Sequence, residues 1–483
     1  MQTYKFPKST KMLRYITIGI ISSLLFSCKK LVDVKIPNNK LAKDIVYDNE
    51  KTAIGILNSI IIDISGTDIF QYGISAMPVI GGLSSDEMQV IPIRYPTLQL
   101  YYTNNLSPNS ITSQNTWINI YKNIFTLNDA IEGISQTTSL KPVFKNQLLG
   151  EAKFFRAWCY FYLVGLYGEV ALALTSDYTK NRLLSRSKPE EVWPIIIKDL
   201  KESQELLNSN FVDATLTSPS TERVRPTKWA ADALLARAYL YTENWSLAES
   251  EASKVINNTA LFSLDSLTDV FKKNSKESIL QAQPTNATYN TTYGIFYIIP
   301  DGSAPNFRHP VYLSDHLLNS FEPNDSRKNI WIKSSESAGV KYYYPFKYTM
   351  YQTINPTDPL TEYYVLLRIS EQYLIRSEAR AQQNKLSLAL EDLNIIRNRA
   401  GIGNSSAVTQ KEILDAILHE RQVELFAEWG DRWLDLKRRN KIDEVMAIVT
   451  AEKGGKWSNF RKYFPINQEE LMRNPNLKQT PGY

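Results

Sequence analysis

The chain has 483 residues, of which 43% are hydrophobic and 22% charged, and its formal net charge is +5. Four of the cations lie within the first 27 residues, which contain no acid, so the rest of the chain is almost neutral. No basic face of the kind that nucleic-acid binding requires is evident in the sequence. The length and apolar content predict a large folded globule.

The N-terminus has the pattern of a lipoprotein signal peptide. Cations precede an apolar run, residues 15–26, which is shorter than the about 20 residues that span a bilayer. The run ends in LFSC at 25–28, which resembles the lipobox cut by lipoprotein signal peptidase. We therefore expect residues 1–27 to be removed, Cys28 to carry the lipid anchor, and residues 28–40 to form a tether. The alternative is a plain signal peptide followed by a chance cysteine.

The chain contains only two cysteines, Cys28 and Cys159. If Cys28 is acylated, Cys159 has no disulfide partner. Because Cys159 lies on an apolar helical stripe, we expect it to be a small buried side chain rather than a reactive thiol. Met12 is a second possible start codon, and it would leave a shorter signal peptide.

Long helices are predicted throughout residues 41–258. Apolar residues recur at helical spacing in 115–134 and 151–167. The second of these segments is apolar on two faces, as expected of a buried helix, and Gly168 is expected to end it. A third helix should begin at SKPE, residues 187–190, where the spacing is that of a capping box with proline in the first turn.

Two helical hairpins are expected further along the chain. Residues 227–242 and 246–257 form the first, with small residues at spacings that resemble a tetratricopeptide repeat. Residues 364–382 and 386–400 repeat the layout at the start of the C-terminal region, 364–483. Because such a pair cannot bury its own apolar face, the hairpins must stack.

Between the hairpins, residues 259–363 lose helical periodicity. Residues 289–351 contain 14 aromatic side chains, nine of them tyrosine, which is twice the aromatic fraction of the whole chain, 11%. We predict an irregular, aromatic-rich insert between two helical regions.

Several segments, in this order along the chain, resemble the SusD/RagB family of outer-membrane lipoproteins. They are GEAKFFRAW (150–158), LYGEV (166–170), RPTK (225–228), ALLARAYL (233–240), LRISE (367–371), IRNRAG (396–401), HER (419–421), DRWLDLKR (431–438), PNL (475–477) and PGY (481–483). Two departures, Ala171 in place of proline and Trp229 in place of a small residue, concern packing. Together with the lipobox, the matches cover the whole chain.

The resemblance implies a mostly α-helical, tetratricopeptide-like scaffold that carries the irregular insert. It also implies a lipoprotein of the outer membrane, exposed at the cell surface, that captures a glycan or a peptide. Such proteins deliver their ligand to a SusC-like TonB-dependent barrel. The irregular segments form the binding surface, and the repeats contact the barrel. No cofactor is implied.

Motifs for catalysis or metal binding are lacking in the sequence. His309, His316 and His419 are not spaced as metal ligands, and we expect His419 to have a packing or capping role. The acidic residues between 420 and 435 alternate with basic ones, which favours structural ion pairs over a glycosidase pair. Asp86-Glu87 is expected to lie in a solvated turn; the alternatives are that it lines a site or binds calcium.

We therefore expect a binding protein and no enzyme. Two alternatives remain open: a glycoside hydrolase or peptidase, and a repeat scaffold that assembles proteins without binding nutrient. For the binding site we predict five rings from two segments, because tyrosine and tryptophan offer sugars both a stacking face and a polar group. They are Tyr101, Tyr102, Tyr289, Tyr293 and Trp331. The two segments are expected to converge on one exposed face. The alternative for any single tyrosine is that it packs the insert.

Overall fold

The structure contains the predicted helices and adds short strands that the periodicity did not indicate. The computed structural model describes Gln2 and residues 46–65, 74–91, 95–216, 218–284, 290–351 and 358–483. The predicted signal peptide, the tether, Cys28 and Tyr289 lie outside the described residues.

The first part of the chain forms long helices. They are α1 (Glu50–Ser65), α2 (Met77–Ser84), α3 (Pro96–Tyr102), α4 (Ile111–Gln136), α5 (Pro142–Tyr167), α6 (Tyr178–Asn181) and α7 (Pro189–Leu206), with a 3₁₀ turn at Ile74–Ala76 and strands β1 (Met88–Val90), β2 (Val170–Ala171) and β3 (Arg186–Ser187). Helix α5 is buried on both faces and includes the buried Cys159, as predicted. It ends at Gly168, whose φ of 71° favours glycine.

The first predicted hairpin is formed by α8 (Lys228–Tyr241) and α9 (Trp245–Ile256). The insert that follows consists of short elements. They are β4 (Ser278–Ala282), α10 (Thr292–Tyr297), β5 (Val311–Leu313), α11 (Asp315–Ser320), α12 (Ser326–Ile330), β6 (Ile332–Ser337), β7 (Val340–Pro345) and β8 (Tyr364–Arg368). The strands pair in antiparallel couples, β1 with β5, β2 with β3, β4 with β8 and β6 with β7.

The C-terminal region is helical. It contains α13 (Ile369–Gln382), α14 (Leu386–Ala400), α15 (Gln410–Leu425), α16 (Asp431–Arg438), α17 (Ile442–Glu452) and α18 (Gln468–Arg473), with a 3₁₀ turn at Asn459–Lys462. Helices α13 and α14 form the second predicted hairpin, and α9 packs against α13. The contacts run from α4 through α5, α7, α8, α9 and α13 to α14, so the predicted mostly α-helical repeat scaffold is confirmed. Among the described residues, no helix combines the length and apolar composition needed to cross a bilayer.

One predicted boundary is wrong. Residues 364–368 were expected to begin a helix, but they form strand β8, which pairs with β4. Every residue of both strands is buried. A strand that is buried on both faces has a continuous apolar run, which short-range periodicity cannot distinguish from a buried helix.

A buried network of ion pairs joins the insert to the helices, and Glu424 on α15 is its centre. Its carboxylate accepts hydrogen bonds from Arg327 Nη1 at 2.8 Å, from Arg368 Nη1 at 2.6 Å and from Arg399 Nη2. Glu277 accepts from the same Arg368 and Arg399 guanidinium groups at 3.0 and 2.6 Å. These side chains come from α12, the end of β8, α14 and the start of β4, so the network ties four parts of the chain to α15.

Electrostatics explain why this network is sensitive to the loss of any partner. Burial alone would raise the pKa of Glu424, but the guanidinium groups of Arg399, Arg368 and Arg327 hold it well below its ordinary value. A buried ion pair that keeps all of its partners contributes little net stability, whereas removing one partner leaves an uncompensated buried charge.

We predict that Glu424→Gln lowers the free energy of unfolding by about 3–5 kcal/mol, because the three guanidinium groups lose their shared carboxylate. Chemical denaturation followed by circular dichroism measures the change. The control is Asp415→Asn, which removes an exposed ion pair with Lys411 and should leave stability unchanged within error. Equal stability of the two variants would contradict the prediction.

Candidate functional site

The two segments that were predicted to share a face are hydrogen-bonded to each other. Strand β1 pairs with β5, so that Gln89 lies opposite Tyr312. The contact continues beyond the strands, because Ser314 N donates to Glu87 O at 2.9 Å and the Tyr95 hydroxyl donates to Phe307 O. The segment after α2 and the aromatic insert therefore form one continuous surface.

Three half-buried tyrosines lie on this surface, and we call them the tyrosine face: Tyr102, Tyr312 and Tyr342. The rings of Tyr312 and Tyr342 meet edge to face, with centroids 5.4 Å apart at 89°. The Tyr312 hydroxyl donates to Gln89 Oε1 at 3.3 Å. Burial, together with the neighbouring Tyr102, Tyr342 and Asp315, raises the pKa of Tyr312 to about 12, so its hydroxyl remains a hydrogen-bond donor at neutral pH.

Lys453 packs against Tyr102 of the tyrosine face. Its Nζ lies 5.0 Å from the centre of the Tyr102 ring, within the range of a cation–π contact. The same ammonium donates to Leu83 O at 2.8 Å and to Ser85 O, at the C-terminal end of α2. Burial lowers the pKa of Lys453 to about 7, although Asp86 and Glu87 act in the opposite direction. Tyr102 thus packs against the buried amino group of Lys453.

Three of the predicted rings are buried, and their predicted exposure is wrong. Trp331 is 1% exposed and lies edge-on to Phe271 at 5.7 Å, while its Nε1 donates to Leu267 O at 2.7 Å. Tyr293 is 4% exposed and is stacked on Tyr297 at 5.6 Å.

Tyr101 is fully buried against Phe464, with ring centroids 5.5 Å apart. These three rings therefore belong to the apolar core. Of the predicted rings, only Tyr102 lies at the surface within the described part of the chain.

Tyr312 and Tyr342 are missing from the predicted set. The signal that could have identified Tyr312 is the alternation in β5, where Val311 and Leu313 are buried and Tyr312 points to the other side. Three residues are too few to distinguish this alternation from chance. Tyr342 lies in a run of three tyrosines, of which Tyr344 is buried, and the sequence does not indicate which ring faces outward.

Asp86 and Glu87 do not form the solvated turn that was predicted, since their exposed fractions are 4% and 2%. Asp86 accepts two hydrogen bonds from Arg432 on α16, at 2.8 and 2.7 Å. Helix α2 comes this close to α16 because Gly81 faces Gly430, where an added Cβ would lie 2.5 Å from the Gly430 Cα. The pair fixes the segment that leads into β1.

The other charged residues have structural roles. The predicted ion pairing of the acidic C-terminal group is confirmed, for example by Arg421 Nε with Asp435 at 2.6 Å, although many partners come from outside that segment. His419 Nε2 lies 2.7 Å from Ser320 O, which agrees with the predicted packing role. Among the described residues, no cluster of three or more histidine, cysteine or acidic side chains is arranged to hold a metal ion.

Glu87 gives a prediction about pH. Burial raises the pKa of Glu87 to about 8; Asp86 and Asp431 add to this, and Arg432 and Lys347 oppose it. Because the pKa of this carboxyl is near its ordinary value of 4.5 in the unfolded chain, the free energy of unfolding should fall as the pH rises from about 4.5 to 8, by about 1.4 kcal/mol for each pH unit at most.

We therefore predict that the melting temperature of Glu87→Gln, which cannot ionise at this position, rises relative to that of the wild type by several degrees between pH 5 and pH 8. Differential scanning calorimetry at the two pH values measures this. A melting-temperature difference that does not change with pH would contradict the prediction.

Sequence comparisons place the chain among SusD-like proteins. The SusD family model matches residues 324–483, and a second model, described as starch-binding associating with outer membrane, matches residues 85–240. The chain is 27% identical over 422 residues to SusD-like protein P2 of Formosa agariphila, covering 76% of this chain and 80% of that protein. It is 26% identical over 414 residues to a SusD-like protein of Bacteroides ovatus, covering 75% and 71%.

The fold is similar to those of solved SusD structures. A SusD superfamily protein from Bacteroides vulgatus superposes with a TM-score of 0.76 at 20% identity, covering 90% of this chain and 99% of that one. A structure described as a laminarin binding SusD-like protein superposes with a TM-score of 0.72 at 20% identity, with the same coverage. The matches to both parts of the sequence, the curated relatives and the shared fold agree, and the chain belongs to the SusD/RagB family.

Proposed function

We propose that the protein is a glycan-binding lipoprotein of the cell surface, which captures its ligand at the tyrosine face and delivers it to a TonB-dependent outer-membrane transporter. The observation that carries this proposal is the convergence of Tyr102, from the segment after α2, with Tyr312 and Tyr342 of the insert. The matched family description, starch-binding associating with outer membrane, and the laminarin-binding neighbour support a glycan as the ligand.

The chemistry of the tyrosine face suits a sugar. A pyranose ring has an apolar C–H face that packs on a flat aromatic ring, and its hydroxyl groups need hydrogen-bond partners. Among the described residues, the hydroxyls of Tyr102 and Tyr342 have no hydrogen-bond partner, so each can bind a ligand hydroxyl.

Two other functions are less well supported. A peptide-capturing protein of the same architecture is less well supported, because the matched family description and the laminarin-binding neighbour both name glycans. A scaffold that binds no nutrient would not need the unpartnered tyrosine hydroxyls.

The tyrosine face gives a test of the proposal. Tyr312→Ala and Tyr342→Ala should each weaken binding about tenfold, or about 1.4 kcal/mol, because each removes a stacking ring. Tyr342→Phe retains the ring and should lose less affinity. Isothermal titration calorimetry against a panel that includes laminarin and soluble starch measures the change.

Trp331→Ala is the matched control. It should lower the free energy of unfolding by about 3–5 kcal/mol, because it removes a buried ring from the core of the insert. If the folded Tyr312→Ala and Tyr342→Ala variants bind as tightly as the wild type, the ligand binds elsewhere.

The delivery step has its own test. The protein should co-purify with a large outer-membrane barrel after extraction in mild detergent. Because the chain beyond the signal peptide is almost neutral, moderate salt should not separate the two.

The lipid anchor is tested separately. Cys28→Ser should release the protein from the membrane fraction or leave an unprocessed precursor, since stable anchoring needs more than one acyl chain. Recovery of the wild type only as a soluble monomer, from cells that produce a SusC-like barrel, would contradict the proposal.

A further inference from the structure

A cleft of about 380 Å³ lies between α4, α6 and the C-terminal segment around α18. It shares no residue with the tyrosine face. Its volume is within the range of small-molecule sites in proteins. Aromatic rings line its walls and two small side chains its floor: Trp117, Tyr121, Phe125 and Tyr178, with Ala171 and Ala173.

The floor of the cleft is fixed in place by hydrogen bonds. The Tyr121 hydroxyl donates to Ala171 O at 2.7 Å, and Asn128 Nδ2 donates to Ala173 O at 2.9 Å. On the other side, Asn474 Nδ2 donates to Leu184 O at 2.8 Å, which ties the segment after α18 to the segment after α6. The cleft is therefore formed before any ligand arrives, which lowers the ordering entropy that binding must overcome.

Two of the rings that line the cleft are exposed to solvent. Tyr178 is 69% exposed and Phe125 is 47% exposed. Within the described part of the chain, neither ring contacts another aromatic ring and the Tyr178 hydroxyl has no hydrogen-bond partner. An exposed ring beside a preformed cleft provides the flat apolar surface on which the C–H face of a sugar stacks.

The charged residues of the cleft indicate which class of sugar it favours. The charged residues that line it are Arg182, Arg473 and Glu470. Arg473 is already paired, with Glu469 at 3.1 Å and Glu470 at 2.9 Å. Arg182 is exposed and has no ion pair among the described residues. A guanidinium that is free to form two parallel hydrogen bonds is suited to a carboxylate.

We propose that this cleft is a second ligand site and that it binds a hexuronic acid unit of an acidic glycan. The sugar ring packs between Tyr178 and Phe125, its carboxylate pairs with Arg182, and its hydroxyls reach the Tyr178 hydroxyl and the Asn181 side-chain oxygen. The proposal rests on the proposed glycan-binding function and deepens it by naming the chemical class of one ligand. Charge complementarity with Arg182 favours the uronate over a neutral sugar.

The test uses the full-length mature protein, with oligogalacturonate as the probe and a neutral galacto-oligosaccharide of equal length as its control. Tyr178→Ala should weaken oligogalacturonate binding about tenfold, and Tyr178→Phe, which keeps the ring, should weaken it less. Arg182→Gln should weaken binding severalfold and remove the loss of affinity that the wild type shows as salt increases. Because both side chains are exposed, the variants should keep the melting temperature of the wild type.

Three outcomes would overturn the proposal: no binding of oligogalacturonate, binding that neither Tyr178→Ala nor Arg182→Gln alters, or equal binding of the neutral oligosaccharide. If Tyr312→Ala removes oligogalacturonate binding and Tyr178→Ala does not, the acidic glycan binds at the tyrosine face. In that case the cleft proposal fails and the proposed function stands. If no form of the protein binds laminarin or starch, but oligogalacturonate binds in the cleft, the proposal that the tyrosine face binds glycan fails instead.

Discussion

The architecture depends on the convergence of three guanidinium groups on one buried carboxylate, that of Glu424. Arg327 belongs to the insert, Arg368 ends strand β8, and Arg399 lies on the second helical hairpin. Buried charges tolerate little displacement, because each lost partner leaves an unpaired charge at low dielectric. The network therefore fixes where the irregular insert lies on the helical repeats, although the insert has little regular secondary structure of its own.

The tyrosine face depends on this arrangement. Its strands are short, and an isolated two-stranded pair is only marginally stable in water. The β1–β5 pair is held at one end by the ion pair of Asp86 with Arg432, and Tyr102 is held by Lys453 on the segment after α17. Buried charges on the helical scaffold thus position half-exposed rings at the surface, where ligand-binding residues need to be held rigidly.

The sequence predicts the scaffold better than it predicts the site, for physical reasons. Helical periodicity is local, so α4, α5 and the hairpins follow from spacing alone. The partners of Glu424 are far apart in the chain, and composition does not indicate which cation reaches which acid. Aromatic enrichment marks the insert, but it does not distinguish exposed rings from core rings, and Trp331 and Tyr293 are buried. Tyr312 and Tyr342 differ from them in the side of a short strand from which the ring projects.

If the ligand binds where the segment after α2 meets the insert, it should protect that junction from solvent. Hydrogen–deuterium exchange of the mature protein, with and without a glycan that it binds, measures this protection. Ligand should slow amide exchange in residues 88–90, 311–313 and 340–345 and leave exchange in the hairpin of α13 and α14 unchanged. Protection confined to the helical hairpins, with no change in those three strands, would contradict it.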